Sequence, residues 1–113
     1  MIESYRFGHI TVNGVEYTED LIIFPDHVQD GWWRDEGHRL NPQDLEAVLE
    51  YNPKVLVVGK GAYGRMKVTD ETSRILEDEG INLIAERTGK AKDVYNELLE
   101  EGRRAVAALH LTC

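Results

Sequence analysis

Apolar positions along the chain fall into two rhythms. Val55-Leu56-Val57-Val58 is an uninterrupted apolar run fenced by Pro53 and Gly59, the pattern of a strand buried on both faces, and so of a central parallel strand. Ile81 to Ala85 and Ala105 to Leu111 repeat that short apolar form. Phe7 to Val12, then Asn13-Gly14, then Val15-Glu16-Tyr17 predicts a hairpin, because a two-residue type I′ turn needs positive φ and Asn-Gly supplies it at low cost. Leu21-Ile22-Ile23-Phe24, closed by Pro25-Asp26, reads either as the second hairpin strand continued past a bend or as a strand of its own.

The other rhythm is helical. Asn41-Pro42-Gln43-Asp44 is a helix start, with Asn as N-cap and Pro in the first turn, and Leu45, Val48 and Leu49 form its inner stripe before Asn52-Pro53 ends it. Thr69 caps a second helix, with Asp70 and Glu71 in its first turn, Ile75 and Leu76 inward and Gly80 at its end. Thr88 or Gly89 opens a third, with Ala91, Val94, Tyr95, Leu98 and Leu99 inward and an end near Gly102. From Lys54 onward the order is therefore strand, helix, strand, helix, strand, a Rossmann-like β-α-β-α-β half whose crossovers give parallel strands in one right-handed sheet. His27 to Leu40 keeps neither period and carries two tryptophans; it reads as a loop in which Trp32 and Trp33 cannot both enter one core.

Parallel order names an edge. Ligands of open α/β sheets bind beyond the carboxyl ends of the strands, and that edge should gather the Gly59–Gly64 loop, Glu86-Arg87-Thr88 and the stretch from His110 to Cys113. Gly59-Lys60-Gly61-Ala62-Tyr63-Gly64 has the spacing G-x-G-x-x-G, and Glu86 follows Gly64 by 22 residues at the end of the next strand, where a ribose-binding acid would stand. Arg65 to Thr69 nevertheless separates the last glycine from the helix start, so the helix dipole would not face a pyrophosphate there. No G-K-[ST] ending is present, which excludes a P-loop. Lys60, Arg65 and Lys67 put three cations near the loop, able to attract a small anion or an acidic surface or simply solvated around a turn.

Composition narrows the classes further. The 113 residues make one domain, 1–113, with 42% apolar and 30% charged side chains, an ordinary globular balance. With 21 acidic against 13 basic residues the formal charge is −8, which disfavours nucleic acid and anionic bilayers as partners. The opening residues match neither a signal peptide nor a transit peptide, and no apolar run approaches a membrane span, so a cytoplasmic protein is expected. The single cysteine, Cys113, fits a reducing compartment. His9, His27, His38 and His110 form no i, i+4 pair, and His110-x-x-Cys113 is a two-ligand fragment, so neither a metal nor another cofactor is expected. Trp32-Trp33-Arg34 reads as an aromatic and guanidinium platform for a partner or as a lid on the core.

In the last third, Thr88-x-x-Ala91-x-x-x-Tyr95-Asn96-x-Leu98-Leu99, Gly102-Arg103 and the ending His110-Leu111-Thr112-Cys113 resemble a small-domain family of unknown biochemistry. Its eukaryotic relatives include the adipogenesis-associated cytosolic domain protein and mitochondrial NADH dehydrogenase (complex I) assembly factor 3. The resemblance extends through Ser4 to Gly8, Ile23-Phe24-Pro25, Trp33-Arg34, Gly59-Lys60-Gly61 and Met66-Lys67-Val68, and the chain looks most like stand-alone prokaryotic or archaeal members. It implies a three-layer α/β domain, with a β-hairpin layer and helix, a mixed sheet and a helical layer, and no assigned catalytic residue. The expected function is a non-catalytic module that binds a partner protein or small anion at the carboxyl edge of the sheet, as a monomer or weak homodimer. Its expected site is Trp33, Gly59, Lys60, Gly61, Arg65, Glu86 and Thr88, supported by Tyr95 and Asn96. The alternative is a nucleotide- or dinucleotide-binding protein or enzyme that uses the Gly59–Gly64 loop.

Overall fold

Strand β7 (Val55–Lys60) takes the centre because its side chains satisfy two cores at once. In the structure, a computed structural model of residues Met1–Cys113, Val55 and Val57 point into one apolar cluster and Leu56 and Val58 into the other. Strand β10 (Ala105–His110) lies beside it in parallel register, Ala105 opposite Val55 through His110 opposite Lys60, and also feeds both clusters. Its three alanines keep β10 thin, so that the elements above and below approach the sheet closely.

Strands β4 (Leu21–Ile23), β5 (Val28–Asp30) and β9 (Asn82–Glu86) complete a five-stranded sheet in the order β5-β4-β10-β7-β9. Strands β10, β7 and β9 are parallel, whereas β4 and β5 join antiparallel. Leu21 to Phe24 is thus centred on a strand of its own, paired to β10 and not to the hairpin. From β7 the chain steps outward to β9 through α2 (Asp70–Asp78), then back across β7 to β10 through α3 (Thr88–Glu100). Crossovers of one hand that run in opposite directions must place their helices on opposite faces. They do: Leu76 of α2 lies in one cluster, and Ala91, Tyr95 and Leu98 of α3 in the other.

The remaining elements complete three layers, as the family resemblance implied. On the α3 face lies an antiparallel sheet of β1 (Ile2–Arg6), β2 (His9–Val12) and β3 (Val15–Tyr17); Ile2, Ile10 and Val12 enter its core. The β2–β3 turn is the Asn-Gly hairpin, with φ of 49° at Asn13 and 81° at Gly14, and β1, unmarked by the hydrophobic pattern, pairs with β2. On the other face the Asn41-Pro42 start forms a 3-10 turn over Pro42–Leu45 before α1 (Glu46–Tyr51), and a two-stranded ribbon joins β6 (Arg39–Leu40) to β8 (Lys67–Val68). The stretch His27 to Leu40 is therefore not loop throughout, since it supplies β5 and β6.

Asn96, expected to support a site, is a clasp between layers. Its amide oxygen accepts from the Ile2 N–H at 2.9 Å and its Nδ2 donates to the Ile2 carbonyl at 2.8 Å, which ties β1 to α3. Tyr95 beside it is buried in the core; burial, and secondarily the charge of an ionised Tyr51, push its hydroxyl up to about 12. Both residues lie seven or eight positions along α3 from Thr88, about 10 Å down the axis at 1.5 Å per residue, and so away from the carboxyl edge. Asn96→Ala should cost about 1–3 kcal/mol, two hydrogen bonds including a part-buried amide, in urea denaturation. Amide exchange at Ile2 should quicken in the same variant.

Candidate functional site

The carboxyl edge is organised by Thr88, which is fully buried. Its hydroxyl donates to the His110 carbonyl at 2.6 Å and accepts from the Gly61 N–H at 2.9 Å, while its own N–H donates to the Gly61 carbonyl at 3.2 Å. Glycines are required around it by space. A Cβ on Gly59 would lie 2.8 Å from both Thr88 Oγ1 and Leu109 Cδ2, and one on Gly61, where φ is +99°, would lie 2.7 Å from the Thr112 carbonyl oxygen.

This geometry takes away what a dinucleotide loop needs. A pyrophosphate cradle requires backbone N–H groups pointing outward. Here Gly61 donates to Thr88, Ala62 to the Thr112 carbonyl at 2.7 Å, Gly64 to Gly61, Arg65 to Cys113 and Met66 to Lys60. The helix that meets the loop is α3, reached through Thr88, and not the helix that follows the loop in sequence. Strand order places β9, β7 and β10 as 2-1-3, so the crevice between β7 and β10 is a topological switch point. The chain occupies that crevice itself: Thr112 and Cys113 pack against Gly61, and their carbonyls take the Ala62 and Arg65 amides.

Beside the filled crevice lies an open cleft of about 360 Å³ walled by Lys60, Tyr63, Gly64, Glu86, Arg87 and Lys90. Glu86 and Lys90 form an i, i+4 ion pair at 3.7 Å, and Tyr63, 61% exposed, leans on the exposed Phe7 ring with centroids 6.0 Å apart. Of the residues expected here, Lys60 and Glu86 line the cleft, and Gly59, Gly61 and Thr88 form the packed shelf behind it. Arg65 and Lys67 are not among its walls: Arg65 is turned outward beside the Cys113 carbonyl, and Lys67 belongs to the β6–β8 ribbon. The additional cations come instead from Arg87 and Lys90, at the start of α3. Trp33 stands elsewhere, 76% exposed, while Trp32 is 5% exposed; neighbours in extended chain face opposite ways, so one tryptophan entered the core and the other left it.

A second cluster escaped the sequence reading. Asp20, just before β4, faces the end of β10: its Oδ1 accepts from the Leu111 N–H at 2.8 Å, and its Oδ2 lies 2.8 Å from His110 Nδ1 and 2.9 Å from Arg34 Nη2. A carboxylate only accepts, so Nδ1 of His110 carries the proton that faces it. Arg34 also donates to the Gly37 carbonyl at 3.0 Å and lies over the Trp32 ring, 4.7 Å from its centroid. Arg34 Nε and Nη1 and His110 Nε2 are buried with no protein partner. Asp20 thus pairs with both His110 and the buried Arg34 guanidinium. Burial alone would raise the Asp20 carboxyl, but hydrogen bonds from His110 and Leu111 and the charges of His110 and Arg34 outweigh it, and the net displacement is downward. Nothing in Thr18-Glu19-Asp20 marks this role; His110 and Arg34 were visible only as members of other patterns.

Asp20→Asn leaves Arg34 buried without its countercharge and should cost about 3–5 kcal/mol at neutral pH. Because the folded carboxyl titrates below the unfolded one, its stabilisation is present above pH ~4 and lost as pH falls through the folded value; urea midpoints should fall in acid for the native chain and less steeply for the variant. Gly61→Ala, which meets backbone at a positive φ, should lose more than about 2 kcal/mol. Gly14→Ala, at φ of +81° with open space around it, should lose only about 1 kcal/mol by the same denaturation.

Comparison with known proteins agrees with the fold and the family resemblance. The crystal structure of the conserved hypothetical protein PH1505 from Pyrococcus horikoshii is 30% identical, with a TM-score of 0.84 over 100% of this chain and 99% of that one. A Bordetella parapertussis protein is 30% identical, with a TM-score of 0.82 over 96% and 92%. The solution structure of a Mth938-like domain from Bordetella pertussis is 26% identical, with a TM-score of 0.71 over 98% and 85%. The family model described as protein of unknown function, DUF498/DUF598, matches residues 2–110, and the chain belongs to that family.

Proposed function

We propose that this domain is a non-catalytic cytoplasmic binding module that holds an anionic group in the cleft at the carboxyl edge of its sheet. The observation that carries the reading is the gathering of Lys60, Arg87 and Lys90 around one cleft with a single carboxylate, Glu86, in a chain of formal charge −8. Random placement of 13 basic among 21 acidic side chains does not favour such a concentration, and a cationic cleft in an acidic protein draws anions locally against the mean field. Gly64, close to Arg87 at the cleft wall, lets the guanidinium lie along the backbone, and the Tyr63–Phe7 pair offers an apolar shoulder. The family resemblance takes in an assembly factor, which favours an anion borne by a protein partner over a free metabolite. No helix is long and apolar enough to cross a membrane.

Titration of the labelled protein with inorganic phosphate and with a capped glutamate dipeptide at low salt should move the amide signals of Lys60, Gly64, Arg87 and Lys90, with dissociation constants of order 1 mM for such small probes. Lys60→Ala with Lys90→Ala should abolish both responses. NAD(H) should do no better than phosphate, since the loop amides are engaged internally; tight dinucleotide binding that moves Gly59 to Gly64 would establish the cofactor reading in place of this one.

A further inference from the structure

A different surface, on the far side of the sheet from α3, has the form of a peptide trough. Between edge strand β5 and helix α1 lies a groove of about 480 Å³, floored by Ile22 and Ala47, overlooked by Trp33 and flanked by Gln29, Glu46 and Glu50. Past Ala47 and Glu50 it continues into a further hollow of about 320 Å³ bounded by Phe24, His27 and Tyr51. Aromatic side chains therefore stand at both ends, with Glu50 between them. From Gln43 to Tyr51 the helical wall measures about 12 Å, the reach of roughly four extended residues.

Three observations fix the occupant. Trp33 is the most exposed large apolar side chain in the molecule, and tryptophan is among the residue types enriched at interface hot spots. Strand β5 ends the sheet, so its outer row of N–H and C=O groups has no ladder partner, which is the template for strand addition. Glu46 and Glu50 stand at i, i+4 on one helix, a spacing at which like charges destabilise the helix. The carboxylate of Asp44 is engaged by the Asn41 N–H at 2.8 Å, whereas Glu46 and Glu50 line the groove with no cation among its walls. His27 at the far end is held by Asp26, 2.8 Å away.

We propose that this trough docks an extended basic segment of a partner protein, about four residues long. Its Lys or Arg side chains lie opposite Glu46 and Glu50, and an apolar side chain rests against Trp33. The site is separate from the cationic cleft, and either can stand without the other.

The test uses the whole labelled chain and a short capped peptide alternating leucine and lysine. Binding should move the signals of Gln29, Gly31, Ala47 and the Trp33 indole, and leave Lys60 and Lys90 unmoved. The double change Glu46→Gln, Glu50→Gln should weaken it about tenfold or more, as should Trp33→Ala; both sites are on the surface, and unchanged melting curves verify folding. Glu77→Gln with Glu79→Gln, on exposed positions of the α2 end, removes the same charge elsewhere and should leave affinity within about twofold. An equal loss in that control means bulk attraction and overturns the proposal, as does a peptide that moves none of the groove signals. Movement of the same signals on concentrating the protein without peptide makes a second copy the occupant, and overturns it too.

Discussion

One hydroxyl holds together the carboxyl ends of three parallel strands. Thr88 Oγ1, at the exit of β9, receives the Gly61 amide from beyond β7 and gives its proton to the last residue of β10. Being fully buried, the group has no water to fall back on, so each bond is worth more than the ~1 kcal/mol of an exposed one. Everything at this edge inherits the constraint: Gly59 and Gly61 must lack side chains for Thr88 to reach them, and the chain after β10 must run across the mouth of the switch-point crevice for Ala62 and Arg65 to find acceptors.

That arrangement explains why a dinucleotide-like spacing occurs without its chemistry. Glycine spacing at a strand end records close approach of backbone to something, and in a nucleotide protein that something is phosphate. Here it is Thr88 on one side and Thr112 and Cys113 on the other. The ligand position at the switch point is taken by the chain, and what remains for solvent is the neighbouring cleft, where Arg87 and Lys90 from the β9–α3 junction join Lys60, the one cation the glycine loop contributes.

Most of the fold was legible through local marks: burial on both faces writes itself as continuous apolar runs in β7 and β10, the half-buried edge strand β9 kept a shorter apolar run, and the hairpin was marked by its Asn-Gly turn. Strand β1 did not, since Ile2 is its one buried position and Glu3, Ser4 and Arg6 face water; it is held by Asn96 from across the molecule, a contact no window of sequence contains. The cleft was half legible: Lys60, Glu86 and Arg87 followed from strand ends, but Lys90 belongs to it only because the Thr88–Gly61 bonds draw the start of α3 against the loop. Tyr95 and Asn96 entered the expected site by motif and left it by geometry, since a helix that starts at the edge carries its later turns away.

The Asp20–Arg34–His110 cluster ties the end of β10 to the stretch that carries the two tryptophans. Buried ion pairs give little net stability over apolar replacements, so its worth lies in what it positions. By accepting from the Leu111 amide, Asp20 sets where β4 meets the end of β10, one residue from the carbonyl that Thr88 binds. By holding Arg34, it fixes the strand-like parity of Trp32, Trp33 and Arg34: with Arg34 drawn inward over the Trp32 ring, and the Trp32 indole N–H donating to the Asp44 carbonyl at 2.9 Å, Trp33 has no direction left but outward. A charge that costs solvation to bury thus decides which tryptophan closes the core and which one is offered to solvent above α1.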